Sequence, residues 1–235
     1  MKEKTLPSKK KRHKKSKIKI VILAFLSMLV LLLLYDFNII PHMKYSNAKF
    51  NITPYISQYD KDLDGIDDQS DILQNAKSYV SKRPKYKSVY YNSGYPNDEY
   101  GVCTDVVGFA FLNAGHNLMN MINSHIQNNP NLYNIEVFDK NIEFRRVFNL
   151  KVFFDYNATS LTLDVNEIDE WQGGDIVIFK TTEGHIGIVS DNRNKNGVPF
   201  IIHHANPYQI HYEEDILENR EDIIGHYRFN LGGIE

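Results

Sequence analysis

The chain has 235 residues, of which 27 are basic and 29 acidic, so its formal net charge is −2. The basic residues are concentrated at one end: ten lie within residues 1–19, and the rest of the chain carries 17 basic and 28 acidic side chains, a formal charge of −11. Such an acidic surface repels nucleic acid, so no nucleic-acid partner is expected. The residues from about 50 onward suffice for one domain with a real core.

An uncharged apolar stretch, residues 20–35, follows the basic tail of residues 1–19. With its flanks it covers residues 18–40, which is long enough for a tilted transmembrane helix. The positive-inside rule predicts a single-pass protein of the cell membrane, with a cytoplasmic N-terminus and an extracellular C-terminal domain. A cleaved signal peptide is the alternative, but no small-residue cleavage site follows closely. We therefore expect a signal anchor, followed by a linker over residues 41–58.

An aspartate-rich segment, residues 59–72, resembles a calcium-binding loop. Carboxylates stand at positions one, three, five, nine and twelve of the loop, and Gly65 stands at position six; the predicted ligands are Asp60, Asp62, Asp64, Asp68 and Asp71. This spacing can surround a hard cation with oxygen atoms. The twelfth position differs from the Glu of an EF-hand, and the pattern is more similar to thrombospondin type 3 repeats. It predicts a structural Ca²⁺ ion; the alternative is a solvated acidic turn that caps a helix over residues 72–80.

Cys103 is the only cysteine of the chain, so it cannot form an internal disulfide. An apolar run with helical periodicity, residues 106–112, follows it and places the sulfur near a helix N-terminus. Free backbone N–H groups and the helix dipole favour a thiolate there. A reactive nucleophile and a buried apolar side chain are both consistent with this position. Asp105 is expected to be an N-terminal helix carboxylate, which would oppose ionisation of the thiol.

Three apolar segments downstream predict an antiparallel meander over residues 174–204, with a final strand near residues 226–229. His185 begins the second strand and shares a face with Gly187, where the missing side chain lets another element approach closely. His203 and His204 end the third strand and point to opposite faces, so one of them can lie beside His185. Two histidines on adjacent strands and a cysteine at a helix start favour a Cys-His-polar triad.

Five sequence blocks, in order, resemble the bacterial family catalogued as domain of unknown function 1287: GVCTDVV (101–107), FRRVFNL (144–150), WQGGDIV (171–177), HIGIVSD (185–191) and IGHY (224–227). The resemblance covers about residues 70–229. That family is in turn similar to the papain-like clan, particularly to NlpC-type cell-wall peptidases. The resemblance implies an α+β, papain-like domain over residues 73–235, in which the helix that bears the cysteine packs on an antiparallel sheet.

Carried over to this chain, the resemblance implies that Cys103 is the nucleophile, His185 its general base and His203 the residue that orients the imidazole. His204 and Asn206 remain alternatives for the third position. The implied activity is that of a membrane-anchored extracellular cysteine hydrolase, an amidase or peptidase, acting on cell-wall peptide amides without a catalytic cofactor. A non-catalytic wall-binding module and a thiol acyltransferase are the alternatives.

Arg145 and Arg146 are predicted to bind the substrate, a cell-wall peptide or peptidoglycan fragment. Guanidinium groups bind carboxylates through two parallel hydrogen bonds, so either residue could hold a stem-peptide carboxylate. An ordinary salt bridge is the alternative for at least one of the two.

Overall fold

The computed structural model describes residues 9–230, and side chains from residue 17 onward. Predictions that fall on residues 1–8 of the basic tail and on residues 231–235 lie outside the described residues. The chain divides into two compact units, one ending at Pro41 and one beginning at His42.

The first unit contains one helix, α1 (Lys9–Asp36). Its segment Lys17–Asp36 is 20 residues long with a mean hydropathy of 2.7, which suffices to cross a membrane. A signal sequence near an N-terminus meets the same criteria of length and composition. The predicted N-terminal apolar helix is therefore confirmed as a helix long and apolar enough for a membrane span or a signal sequence, and it ends at Asp36 rather than near residue 40.

The second unit is an α+β domain, as predicted. Its described helices are α2 (Asp68–Ser81), α3 (Cys103–Asn113), α4 (Leu118–Asn128) and α5 (Val147–Asn157). Its strands are β1 (Lys85–Tyr86), β2 (Tyr100–Gly101), β3 (Thr159–Ser160), β4 (Ile176–Phe179), β5 (His185–Arg193), β6 (Pro199–Ile202), β7 (Glu213–Glu214) and β8 (Ile223–Arg228). Strands β1 and β2 form a short parallel pair, and the other six form one sheet in the order β3-β8-β4-β5-β6-β7.

All neighbours in the six-stranded sheet are antiparallel, and β4, β5 and β6 form the predicted meander. Side chains on both faces of β4 and β6 are buried, which explains their continuous apolar sequences. One face packs on the helices in the main core, which includes Val106 of α3 and Ile186 of β5. The other face packs on a smaller cluster around Trp171 and Leu217. The helix that begins at Cys103 is thus held directly against the strand that begins at His185.

The predicted linker, residues 41–58, is instead part of the domain from His42 onward. The backbone of Tyr45 pairs with that of Arg193 at the end of β5 through two hydrogen bonds of 2.8 Å. The buried guanidinium of Arg193 donates to the side chain of Asn47, and Ile52 is buried as well. These contacts hold the segment against the domain. Arg193 donates hydrogen bonds to side-chain and backbone oxygens that would otherwise be buried without a partner.

Candidate functional site

The N-terminus of α3 is fixed by a buried ion pair. Asp105, in the first turn, accepts a hydrogen bond of 2.8 Å from the backbone N–H of Val102. Arg145 donates to both oxygens of the same carboxylate at 2.8 Å and to the carbonyl of Val89 at 2.6 Å. Asp105 is therefore the helix carboxylate that the sequence predicts. The guanidinium of Arg145 makes the structural salt bridge considered as the alternative for one of the two arginines.

Cys103 is the first residue of α3, and its side chain remains partly exposed. Burial by the surrounding protein atoms raises the pKa of the thiol to about 11, and the charge of Asp105 adds to this rise. Backbone N–H groups of Ile186, Thr104 and Cys103 itself lower the pKa, but by less. The expectation that the helix N-terminus makes a thiolate is therefore wrong for the resting protein: desolvation outweighs the helix dipole here.

His185, at the start of β5, is hydrogen-bonded to His203, which follows β6. The Nε2 atom of His185 lies 2.9 Å from Nδ1 of His203. A Cβ atom on Gly187 would lie only 3.3 Å from Cβ of His203 and 2.6 Å from Cγ2 of Ile201, so glycine permits this close approach. The predicted role of Gly187 as a point of close approach is confirmed.

The chain of hydrogen bonds continues to Glu214 on β7. Nε2 of His203 lies 3.1 Å from a carboxylate oxygen of Glu214. Strand β7 is the edge strand beside β6, so Glu214 reaches His203 from the neighbouring strand. The three side chains form a relay from the start of β5 to the edge of the sheet, which we call the imidazole relay (His185, His203, Glu214).

Burial controls the protonation of the imidazole relay. Desolvation lowers the pKa of His185 to about 3, with smaller contributions from His203 and Arg220. Desolvation likewise lowers the pKa of His203 to about 3 and raises the pKa of Glu214 to about 7. Both imidazoles are therefore neutral at physiological pH, so each ring carries a proton on one nitrogen only.

The neutral state fixes where these protons lie when Glu214 is ionised. A carboxylate can only accept, so the contact with Glu214 favours a proton on Nε2 of His203, the atom that also lies 3.3 Å from the amide nitrogen of Gln209. His203 then accepts from His185 through Nδ1. His185 then carries its proton on Nε2, and its Nδ1 atom is left as an unprotonated base. Within the part of the chain that the structure describes, Nδ1 of His185 has no hydrogen-bond partner.

The two alternatives for the third position do not contact His185. His204 is also buried, but its ring packs edge-on against Tyr86 and Tyr212, and its Nδ1 atom has no partner among the described residues. Asn206 lies in an exposed turn, where its side chain accepts a hydrogen bond from the backbone of Tyr208. Of the three candidates, the structure brings only His203 to His185.

Cys103, His185 and His203 line one open groove of about 1120 Å³. The first residues of α5 and the segment before it also line this groove, and they include both Arg145 and Arg146. The Arg146 side chain is 47% exposed and has one contact of 3.3 Å with Glu143, so most of its donors face solvent. The groove thus combines a thiol, a neutral imidazole and an accessible guanidinium.

The aspartate-rich segment lies in the turn before α2. Asp60, Asp62 and Asp64 place carboxylate oxygens within 4.8 Å of one another. Asp68 is occupied elsewhere, since its oxygens accept from the backbone of Lys61 at 2.7 Å and lie 2.8 Å from Nε2 of His116. The helix-capping alternative also has a structural basis, but in a residue outside the predicted ligand set. Asp67 caps α2 by accepting from the backbone N–H groups of its first turn.

Glu214 is the residue of the site that sequence reasoning missed. It lies in a polar stretch without strand-like periodicity, and its strand is only two residues long. A prediction would have needed the pairing of β7 with β6, which places Glu213 opposite Ile202. The polar character of the site therefore becomes evident only in three dimensions.

Residues 73–229 match the family model described as a domain of unknown function, DUF1287. The match covers more than half of the chain and includes Cys103, Arg145 and all three residues of the imidazole relay. The chain therefore belongs to the DUF1287 family, as the five sequence blocks predict. The aspartate-rich loop lies just before the matched region.

A curated relative is similar over much of this domain. The uncharacterized protein YijF of Escherichia coli (strain K12) is 34% identical over 152 residues, which are 62% of this chain and 72% of the relative. The identity extends the family relationship to a second protein, whose name states no activity.

Proposed function

We propose that this protein is a cysteine hydrolase of papain-like, NlpC-type arrangement that cleaves cell-wall peptide amides. The observation that carries the proposal is the imidazole relay, which leaves an unprotonated nitrogen of His185 in the groove that Cys103 also lines. A cysteine at a helix start, a histidine as base and a third group that orients the base are the parts that nucleophilic acyl transfer needs.

In the proposed reaction, the thiol and imidazole begin neutral. As substrate binds, Nδ1 of His185 takes the proton of Cys103, and the sulfur forms a bond to the amide carbonyl carbon. The C–N bond then breaks, and the leaving amine takes the proton from His185, which leaves a thioester on Cys103. Water, deprotonated by the same imidazole, releases the new carboxyl group and restores the thiol.

Backbone N–H groups would stabilise the oxyanion of this reaction. Those of Ile186, Thr104 and Cys103 already favour negative charge on the sulfur. The N–H of Cys103, at the first position of α3, has no partner within its own helix and is the proposed oxyanion donor. Desolvation strengthens such donors, because charge is less screened in a groove closed by substrate.

The proposed substrate class follows from the accessible arginine and the proposed location. Arg146 lines the groove and is 47% exposed, whereas Arg145 is used by Asp105. We assign binding of a substrate carboxylate, such as that of a peptidoglycan stem peptide, to Arg146, and the positioning of α3 to Arg145. The basic tail and α1 support a membrane anchor with the domain outside the cell, where peptidoglycan amides lie.

The test is digestion of purified peptidoglycan by the full chain in detergent micelles, followed by mass spectrometry of released fragments. Wild type should produce new pairs of free amines and carboxyl groups, and Cys103→Ser and His185→Ala should not. His204→Ala is the matched control, since this neighbouring buried histidine does not line the groove. Equal fragments from wild type and Cys103→Ser would contradict the proposal.

A non-catalytic wall-binding module is the second candidate, favoured by the raised pKa of the Cys103 thiol. It predicts that the chain co-sediments with peptidoglycan, that Arg146→Ala weakens this binding and that wild type releases no fragments. A thiol acyltransferase would instead join the acyl group to an acceptor, so its products would lack the new free carboxyl group.

A further inference from the structure

The loop before α2 brings several carboxylates close together, and none of them forms an ion pair with a cationic side chain of the described residues. Asp60, Asp62 and Asp64 place one oxygen each within a 4.8 Å cluster. The backbone N–H groups of Asp64 and Gly65 bond to Asp60 at 3.2 and 2.9 Å, which curls the loop around these side chains. Gly65 has a positive φ of 94°, which other residues rarely adopt.

A fourth carboxylate, Asp71, lies in the first turn of α2, a short distance along the chain from this cluster. Its side chain is only 5% exposed, and its buried Oδ2 atom has no hydrogen-bond partner among the described residues. The charges of Asp64, Asp62 and Asp60 act on this carboxylate, so Asp71 lies within electrostatic range of the loop cluster.

No cationic side chain of the described residues compensates this charge. Among the described residues, no Lys, Arg or His side chain forms an ion pair with Asp60, Asp62, Asp64 or Asp71. The nearby His116 is paired with Asp68 instead. A buried carboxylate oxygen without a donor costs free energy, and like charges add to that cost, so a bound cation would stabilise the arrangement.

We propose that Asp60, Asp62, Asp64 and Asp71 bind one Ca²⁺ ion that joins the loop to the start of α2. Four carboxylates supply four to eight oxygens, depending on how many bind through both oxygens, and Ca²⁺ takes six to eight. Mg²⁺ fits less well, because it demands octahedral geometry and gives up water reluctantly. Four of the five predicted ligands therefore belong to the proposed site. Asp68 does not, because it pairs with His116 and accepts a hydrogen bond from the backbone of Lys61.

The proposal is tested by calorimetric titration of the chelator-treated full chain, in detergent micelles, with CaCl₂ and separately with MgCl₂. Wild type should bind one Ca²⁺ per chain, and saturating Ca²⁺ should raise the melting temperature of the domain by about 5 °C. Asp64→Asn and Asp71→Asn should each weaken binding at least about tenfold. Glu136→Gln, which removes an exposed carboxylate elsewhere, should bind as wild type does.

Two outcomes overturn the proposal: no Ca²⁺ binding by wild type up to millimolar concentration, or unchanged affinity in Asp71→Asn. Because Asp71 is buried, its variant is first checked for native circular dichroism; if it does not fold, the exposed Asp62→Asn decides instead. Equal affinity for Mg²⁺ would overturn the assignment to calcium. None of these readouts depends on peptidoglycan cleavage, so this proposal and the proposed hydrolase activity fail separately.

Discussion

The imidazole relay and the aspartate-rich loop differ in whether their titratable side chains are paired with one another. In the relay each side chain has a hydrogen-bond partner within 3.1 Å, and burial keeps both imidazoles neutral. In the loop the carboxylates of Asp60, Asp62 and Asp64 crowd together, and Asp71 has a buried oxygen without a donor. The side chains of the relay pair with one another, whereas the loop carboxylates are those for which we propose a ligand from solution.

This difference predicts opposite responses to removing one side chain. A partner lost from a satisfied network leaves its neighbour unpaired, which costs free energy and disturbs geometry. A carboxylate lost from a crowded, metal-free cluster removes repulsion instead. Removing a side chain of the relay should therefore lower the free energy of unfolding, and removing a carboxylate of the metal-free cluster should raise it by a smaller amount.

The largest expected effect is on stability, at the ion pair that fixes α3. Arg145→Ala leaves Asp105 as a buried charge without its bidentate partner, so the free energy of unfolding should fall by about 3–5 kcal/mol. Arg146→Ala is the matched control and should change it by less than about 0.5 kcal/mol, because Arg146 is half-exposed. Urea titration measures both, and equal losses would contradict the distinction between the two arginines.

The next effect is on hydrolysis, at the orienting histidine. His203→Ala removes the partner of His185 and should lower kcat about 100-fold, since the imidazole loses its orientation and preferred tautomer. His204→Ala should stay within about threefold of wild type, because it does not contact His185. Peptidoglycan cleavage rates test the two variants. A larger loss of activity in His204→Ala than in His203→Ala would show that the assignment of His203 to the third position is wrong.

A smaller effect, with a distinct pH signature, is expected at Glu214. Burial raises the pKa of this carboxyl to about 7, so it is protonated in more acidic solution. A protonated Glu214 can donate to His203 and reverse the proton order along the relay, which puts the proton on Nδ1 of His185 and removes the base. Activity should therefore rise as pH increases through about 7.

Glu214→Gln should remove that rise and lower the plateau rate about tenfold, because an amide does not favour one proton order. Rates measured between pH 5 and 9 provide the comparison with wild type. A rise near pH 7 that persists in Glu214→Gln would show that another group controls it.

The smallest effects are expected in the loop, measured in the presence of a chelator. Asp62→Asn should raise the free energy of unfolding by less than about 1 kcal/mol, since it relieves repulsion among exposed carboxylates. Asp67→Ala should lower it by about 1 kcal/mol, because Asp67 caps α2. If both variants are destabilised equally, the metal-free cluster is not strained by its own charge.

The parts of the site that follow from local sequence could be predicted. The apolar periodicity after Cys103 gives the helix start, and alternation along β5 places His185 and Gly187 on one face. The family resemblance selects His203, which the structure brings to His185. These predictions succeed because each depends on one element or on two adjacent strands.

The parts that depend on distant contacts could not be predicted. Glu214 reaches His203 only because the edge strand β7 pairs with β6. The raised pKa of Cys103 comes from packing of the domain around it, whereas the sequence reveals only the local helix dipole. Asp68 matches a ligand position in the sequence, but His116, 48 residues away, pairs with it instead.

The pKa of the Cys103 thiol also bears on the chemical durability of the protein. Burial raises the pKa of this thiol well above physiological pH, so the thiol form predominates there. Peroxides and disulfides react with the ionised sulfur, so a protonated cysteine resists oxidation to sulfenic acid or mixed disulfides. In the oxidising exterior that we propose for this domain, a lone sulfur with no resolving cysteine nearby would be protected by staying protonated.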